Sequence, residues 1–129
     1  MSGWIGVDLD GTLAQYEGWQ GVHHIGTPVP RMLERVKDWL TAGEDVRIFT
    51  ARVGPQKDVN DTIRAREAID RWCEEHFGRT LPITATKDFA CRAIYDDRAV
   101  QVLPNTGLFM SEVVESAARV MEAMQSGNG

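Results

Sequence analysis

The sequence predicts an α/β fold, a doubly wound parallel sheet flanked by helices in one domain spanning residues 1–129. Three observations predict it. Apolar runs short enough to be strands alternate with longer stretches of helical period. Glycine and proline punctuate the boundaries between them. Acidic residues, a threonine and a lysine follow the ends of the apolar runs, and ligands of open parallel sheets bind beyond those carboxyl ends.

Trp4 to Leu9 is nearly continuously apolar, as expected of a central strand covered on both faces. Residues 14–27, with Gly18, Gly21 and Gly26 among Tyr16, Trp19, His23 and His24, read as an irregular flap. After Pro28 and Pro30, Met32, Leu33, Val36, Trp39 and Leu40 recur at helical spacing, and Gly43 is the stop signal. Asp45 to Thr50 forms the second strand and Ala51 to Asp58 a loop. Asp58 to Phe77 is a helix with Ile63, Ala68, Ile69, Trp72 and Cys73 on one side, closed by Gly78. Short strands are expected at Ile83–Thr86 and Ala93–Tyr95, and an edge strand at Ala99–Leu103. A terminal helix follows from Leu108 to about Gln125, with residues 126–129 frayed.

Composition narrows the class. The chain is 43% hydrophobic and 26% charged, ordinary for a globular domain. No apolar stretch approaches the roughly 18 residues that span a bilayer, so no membrane association is expected. No signal-peptide pattern opens the chain, and Cys73 and Cys91 lack metal-ligand spacing. The cytoplasm is the expected compartment. A net charge of −5 argues against a broad nucleic-acid footprint.

The chemistry begins at Asp8-Leu-Asp10-Gly11-Thr12. Carboxylates two residues apart on a strand point the same way, and burying them together is costly unless a cation or a shared proton compensates. A divalent metal is the economical answer, leaving one carboxylate for chemistry. Adjacent His23 and His24 have no acidic or cysteine partner at useful spacing, so they are expected to be exposed loop residues.

Asp8-x-Asp10-Gly11-Thr12, Thr50 after an apolar strand, Lys87, and Asp96-Asp97 after another strand resemble the four motifs of the haloacid dehalogenase superfamily, in that family's order. The resemblance implies a Rossmann-like fold and a Mg²⁺-dependent phosphomonoester hydrolase acting through an aspartyl phosphate. Asp8 would be the nucleophile and Asp10 the general acid and base. Thr50 and Lys87 would hold phosphate oxygens, and Asp8, Asp10 (through its backbone carbonyl), Asp96 and Asp97 the metal. Substrate contacts are expected from Gly11, Thr12, Ala51 and Arg52, and from Trp19 in the flap. The short stretches between motifs leave no room for a cap domain. Such an open site can take large substrates, or an oligomeric neighbour can supply a lid.

Tyr95-Asp96-Asp97-Arg98 is also similar to nucleotidases and to nucleic-acid 3′-phosphatases, which keeps a nucleotide or polynucleotide end among the candidate substrates. A competitor from another class is the phospho-accepting receiver module. It also uses Asp, Thr, Lys and Mg²⁺, but carries its phosphorylated Asp on a middle strand, where this chain has Thr50.

Overall fold

The structure, a computed structural model, describes residues 2–55 and 58–127. The chain forms two compact units, Met1–Asp97 and Arg98–Gly129. In the first, β1 (Trp4–Asp8), α1 (Pro30–Thr41), β2 (Asp45–Phe49), a short 3-10 turn (Ala51–Val53), α2 (Val59–Phe77), β3 (Ile83–Thr84) and β4 (Cys91–Tyr95) follow in order. The four strands make one parallel sheet in the order β3-β2-β1-β4. This is the α/β architecture expected of the alternating pattern, and the order is Rossmann-like.

The apolar alternation explains the layers. Ile5, Val7 and Leu9 point to the same side as Val46 and Ile48, and all five are buried in one core. Val36 of α1 and Ile69, Trp72 and Cys73 of α2 join that core, at the helical spacing that makes one apolar face. Trp39 packs its ring against Tyr95, 4.8 Å between centroids. On the other face of the sheet Trp4 is buried, beside Phe49 and under the Arg47 guanidinium.

The helix boundaries have local causes. Pro30 begins α1, where its missing N–H costs nothing. Asp58 caps α2 by accepting from the amides of Asn60 (2.8 Å) and Asp61 (3.4 Å), and Gly78 closes it. Both cysteines are free thiols, and burial pushes Cys73 up to about 12.

Several expectations are corrected. Ile63 does not join the packed face of α2. It is half exposed, lining a shallow hollow with Val53, Gly54, Pro55, Val59 and Arg66. The loop after β2 begins as a 3-10 turn, because the Thr50 side chain caps it; Gln56 and Lys57 lie outside the described residues. The third strand is shorter than expected, since only Ile83 and Thr84 pair with β2.

In the second unit the expected edge strand at Ala99–Leu103 is instead one arm of a tight reversal. Val102 bridges antiparallel to Phe109, with Leu103 N–H on Leu108 O and Met110 N–H on Gln101 O. The helix α3 (Met110–Gly127) then includes Ser126 and Gly127, expected to fray; residues 128 and 129 lie outside the described residues. No helix among the described residues is long and apolar enough to cross a membrane.

Ile69 is fully buried between α2 and the sheet core. Ile69→Ala is expected to lower the unfolding free energy by about 2–5 kcal/mol in urea titration, through lost burial and a residual cavity.

Candidate functional site

Parallel pairing brings the carboxyl ends of the strands to one edge. Asp8, the last residue of β1, pairs with Phe49, and Val7 pairs with Tyr95. Thr50 and Asp96 are therefore the next residues beyond those partners. The strand order reverses direction at β1, whose neighbours are β2 and β4, so this edge is the switch point where such sheets bind ligands.

After Asp8 the chain turns sharply. Leu13 N–H returns to Asp8 O and Ala14 N–H to Leu9 O, while Gly11 N–H donates to Ala14 O and Thr12 N–H to Leu9 O. The amides of Gly11 and Thr12 thus close the turn itself. Gly11 has φ +91°, and a Cβ there would lie 2.6 Å from Asp97 Oδ2. Only glycine meets both demands.

Carboxylate oxygens of Asp8, Asp96 and Asp97 all lie within 4.8 Å of one another. Thr12 stitches the group together. Its hydroxyl accepts from Asp97 N–H at 2.9 Å and lies 3.2 Å from Asp8 Oδ2 and 3.3 Å from Asp97 Oδ1, so its single proton serves one carboxylate or the other. The crowding shows in Asp8, whose carboxyl is pushed from an ordinary 3.8 up to about 7. Burial is the main cause, followed by the negative charge of Asp96 and a hydrogen bond to Asp97 that favours the protonated form. An all-oxygen set of this kind suits a hard divalent cation such as Mg²⁺, which would offset the charge that now resists ionisation.

Asp10 stands apart from that triad. Arg52 grips it bidentately, Nε on Oδ2 at 2.7 Å and Nη2 on Oδ1 at 2.8 Å. The Arg52 side chain is only 5% exposed, and it also donates to Val22 O (3.3 Å) and His24 O (2.9 Å) in the flap. The Trp19 ring covers its guanidinium at 4.9 Å. Arg52, expected to face substrate, is thus committed to protein acceptors, and Trp19, itself about half exposed, stacks on it.

The base of the flap is zipped. Ala14 bridges to Pro28, Gln15 N–H donates to Thr27 O, and the Trp72 indole donates to Gly26 O at 2.9 Å. His23 and His24 are exposed loop residues, as expected.

Thr50 is buried beside this site, its hydroxyl oxygen accepting from Arg52 N–H at 3.2 Å and its own amide bonded to Thr84 O. Ala51 is exposed at the start of the 3-10 turn. Lys87 follows β3 in an exposed loop. Sequence reasoning missed the Asp10–Arg52 pair and the flap carbonyls of Val22 and His24. Backbone carbonyls carry no residue-type signal, and 42 residues separate the two charged partners.

The chain matches no protein-family model and no curated protein. It is similar to a solved structure of a conserved protein from Bacteroides thetaiotaomicron, at 19% identity and a TM-score of 0.54, over 81% of this chain and 84% of that one. A likeness at this identity is a likeness of fold.

Two outcomes follow from the crowding. Gly11→Ala is expected to cost about 1–3 kcal/mol in chemical denaturation, from its left-handed backbone and the collision with Asp97. In metal-free protein, the raised Asp8 value means that the folded state keeps a proton the unfolded chain has released. Its stabilising effect is complete below about pH 4 and is lost as pH rises through about 7. Thermal melts with chelator from pH 4 to 8 should show that decline, and Asp8→Asn should remove this component.

Proposed function

We propose that the chain is a Mg²⁺-dependent phosphomonoester hydrolase of the haloacid dehalogenase type. The single observation that carries the reading is the meeting of Asp8, Asp96 and Asp97 at the carboxyl ends of β1 and β4, with Asp10 two residues from the nucleophile. Residues 88 positions apart in the chain, matching motifs in one family's order, share one site.

In this reading an Asp8 oxygen attacks the phosphorus of a phosphomonoester. The new Asp8 O–P bond forms as the bond to the leaving oxygen breaks, and Asp10 gives that oxygen its proton. Asp10 then takes a proton from water as the water oxygen attacks the acyl phosphate, which frees Asp8 and inorganic phosphate. Arg52 occupies one direction on each Asp10 oxygen and leaves the remaining lone pairs for this exchange. The Thr50 oxygen accepts from Arg52 N–H and its proton has no acceptor among the described residues, so it would donate to a phosphate oxygen. Asp8, Asp96 and Asp97 would hold Mg²⁺, which when bound offsets their charge and favours the ionised nucleophile. Lys87, exposed in the loop after β3, would contribute its ammonium to a phosphate oxygen.

Strand order favours this reading over a receiver module. Receivers share the flavodoxin-like order 2-1-3-4-5, with β3 beside β1, whereas here β3 lies outside β2 and β4 takes the place beside β1. Small phosphorylated metabolites, nucleotides and polynucleotide ends are all candidate substrates.

Release of inorganic phosphate from p-nitrophenyl phosphate and from a panel of sugar phosphates, nucleotides and 3′-phosphorylated oligonucleotides is the test. Turnover is expected with Mg²⁺ and its loss with chelator. Asp8→Asn should lose at least a thousandfold in kcat, and Asp10→Asn about a hundredfold or more. Full activity in Asp8→Asn would refute the mechanism.

A further inference from the structure

The flap and the acid–base carboxylate are held by the same side chain. Four of the five N–H donors of Arg52 have protein acceptors: two go to Asp10, one to Val22 O and one to His24 O. The ring of Trp19, from the same flap, lies over the guanidinium. The flap's two ends are pinned independently at Ala14–Pro28 and by Trp72, so what Arg52 adds is a hold on its middle. Arg52 itself has little freedom, since its backbone sits in a 3-10 turn capped by Thr50 and its side chain is buried.

We propose that Arg52 is a positioning residue that ties flap residues 19–24 to Asp10, so that the placement of the flap and of the acid–base carboxylate are one coupled variable. The proposal rests on the phosphohydrolase reading for the role of Asp10, but the coupling itself is a property of the resting protein. Loss of the carboxylate at Asp10 removes half of what holds the guanidinium in place, and the flap, which contacts Arg52 through two carbonyls and one ring, loosens although no flap residue has changed. With four of its five donors on protein acceptors, the guanidinium also has no two-pronged fork to offer a substrate phosphate. Its removal therefore acts on the chemical step rather than on substrate affinity. Lysine cannot replace it, because one ammonium cannot span both Asp10 oxygens and two carbonyls.

The experiment is amide hydrogen exchange on the full-length, metal-free protein, comparing wild type with Arg52→Lys, Arg52→Ala and Asp10→Asn. Exchange over residues 16–25 is expected to rise at least tenfold in all three variants, while amides of β1 and β2 stay within about twofold and show the fold intact. Should Arg52→Ala not fold, Arg52→Lys and Asp10→Asn carry the comparison. In parallel, Arg52→Lys should lower kcat for phosphate release about tenfold or more and leave KM within about threefold. Unchanged flap exchange in Asp10→Asn and Arg52→Lys would overturn the tether. So would a tenfold rise in KM with an unmoved kcat, the mark of a substrate-binding arginine. A loosened flap in a protein that releases no phosphate from any substrate would instead overturn the phosphohydrolase reading and leave the tether standing.

Discussion

The parallel register of β1 between β2 and β4 is the constraint from which the site follows. Parallel strands share one direction, so their carboxyl ends collect along one edge of the sheet. Because Asp8 pairs with Phe49 while Val7 pairs with Tyr95, the residues that follow β2 and β4 are delivered to the end of β1 without any further device. A one-residue slip of either neighbour would turn its side chains to the opposite face and withdraw Thr50 or Asp96 from Asp8. The register is held by the buried set Ile5, Val7, Val46 and Ile48, which must face α1 and α2 together. The hydrophobic core thus sets the geometry of the most polar part of the first unit.

Charge is then partitioned between two neighbouring arrangements. Asp10 has a fixed cationic partner, and its carboxylate is matched oxygen for nitrogen by a buried guanidinium that also donates to Val22 O and His24 O. Asp8 lies among the carboxylates of Asp96 and Asp97 and beside the Thr12 hydroxyl, and burial and repulsion push its carboxyl up to about 7. Asp10 is thus matched by a cation, whereas Asp8 is crowded by like charge.

Much of the first unit was legible because its causes are local. Pro30 at the first position of α1, Asp58 ahead of α2 and Gly78 behind it marked the helix ends, and each does so through a hydrogen bond or backbone geometry within a few residues. The misplacements also have local explanations. Val100 and Val102 carry the β-branched composition of a strand, yet among the described residues of their unit the pairing is limited to the Val102–Phe109 bridge, so composition alone pointed to an edge strand. Ile63 keeps the helical period of Ala68 and Ile69, but periodicity does not say how far along the helix the sheet extends beneath it.

What the sequence by itself determined is the alternation of strand and helix, the glycine-bearing turn after Asp8, and the fact that Asp8, Thr50 and Asp96 end or follow strands. Period, capping and turn chemistry act over a few residues and can be read without knowing the fold. Only the tertiary structure decided which acid pairs with which base. Asp10 and Arg52 lie 42 positions apart, Arg52 and the His24 carbonyl 28, and Thr12 and Asp97 85. Contacts over such separations depend on how the strands stack and where the flap crosses them. No local pattern encodes that distance, and a backbone carbonyl that completes a site belongs equally to every residue type.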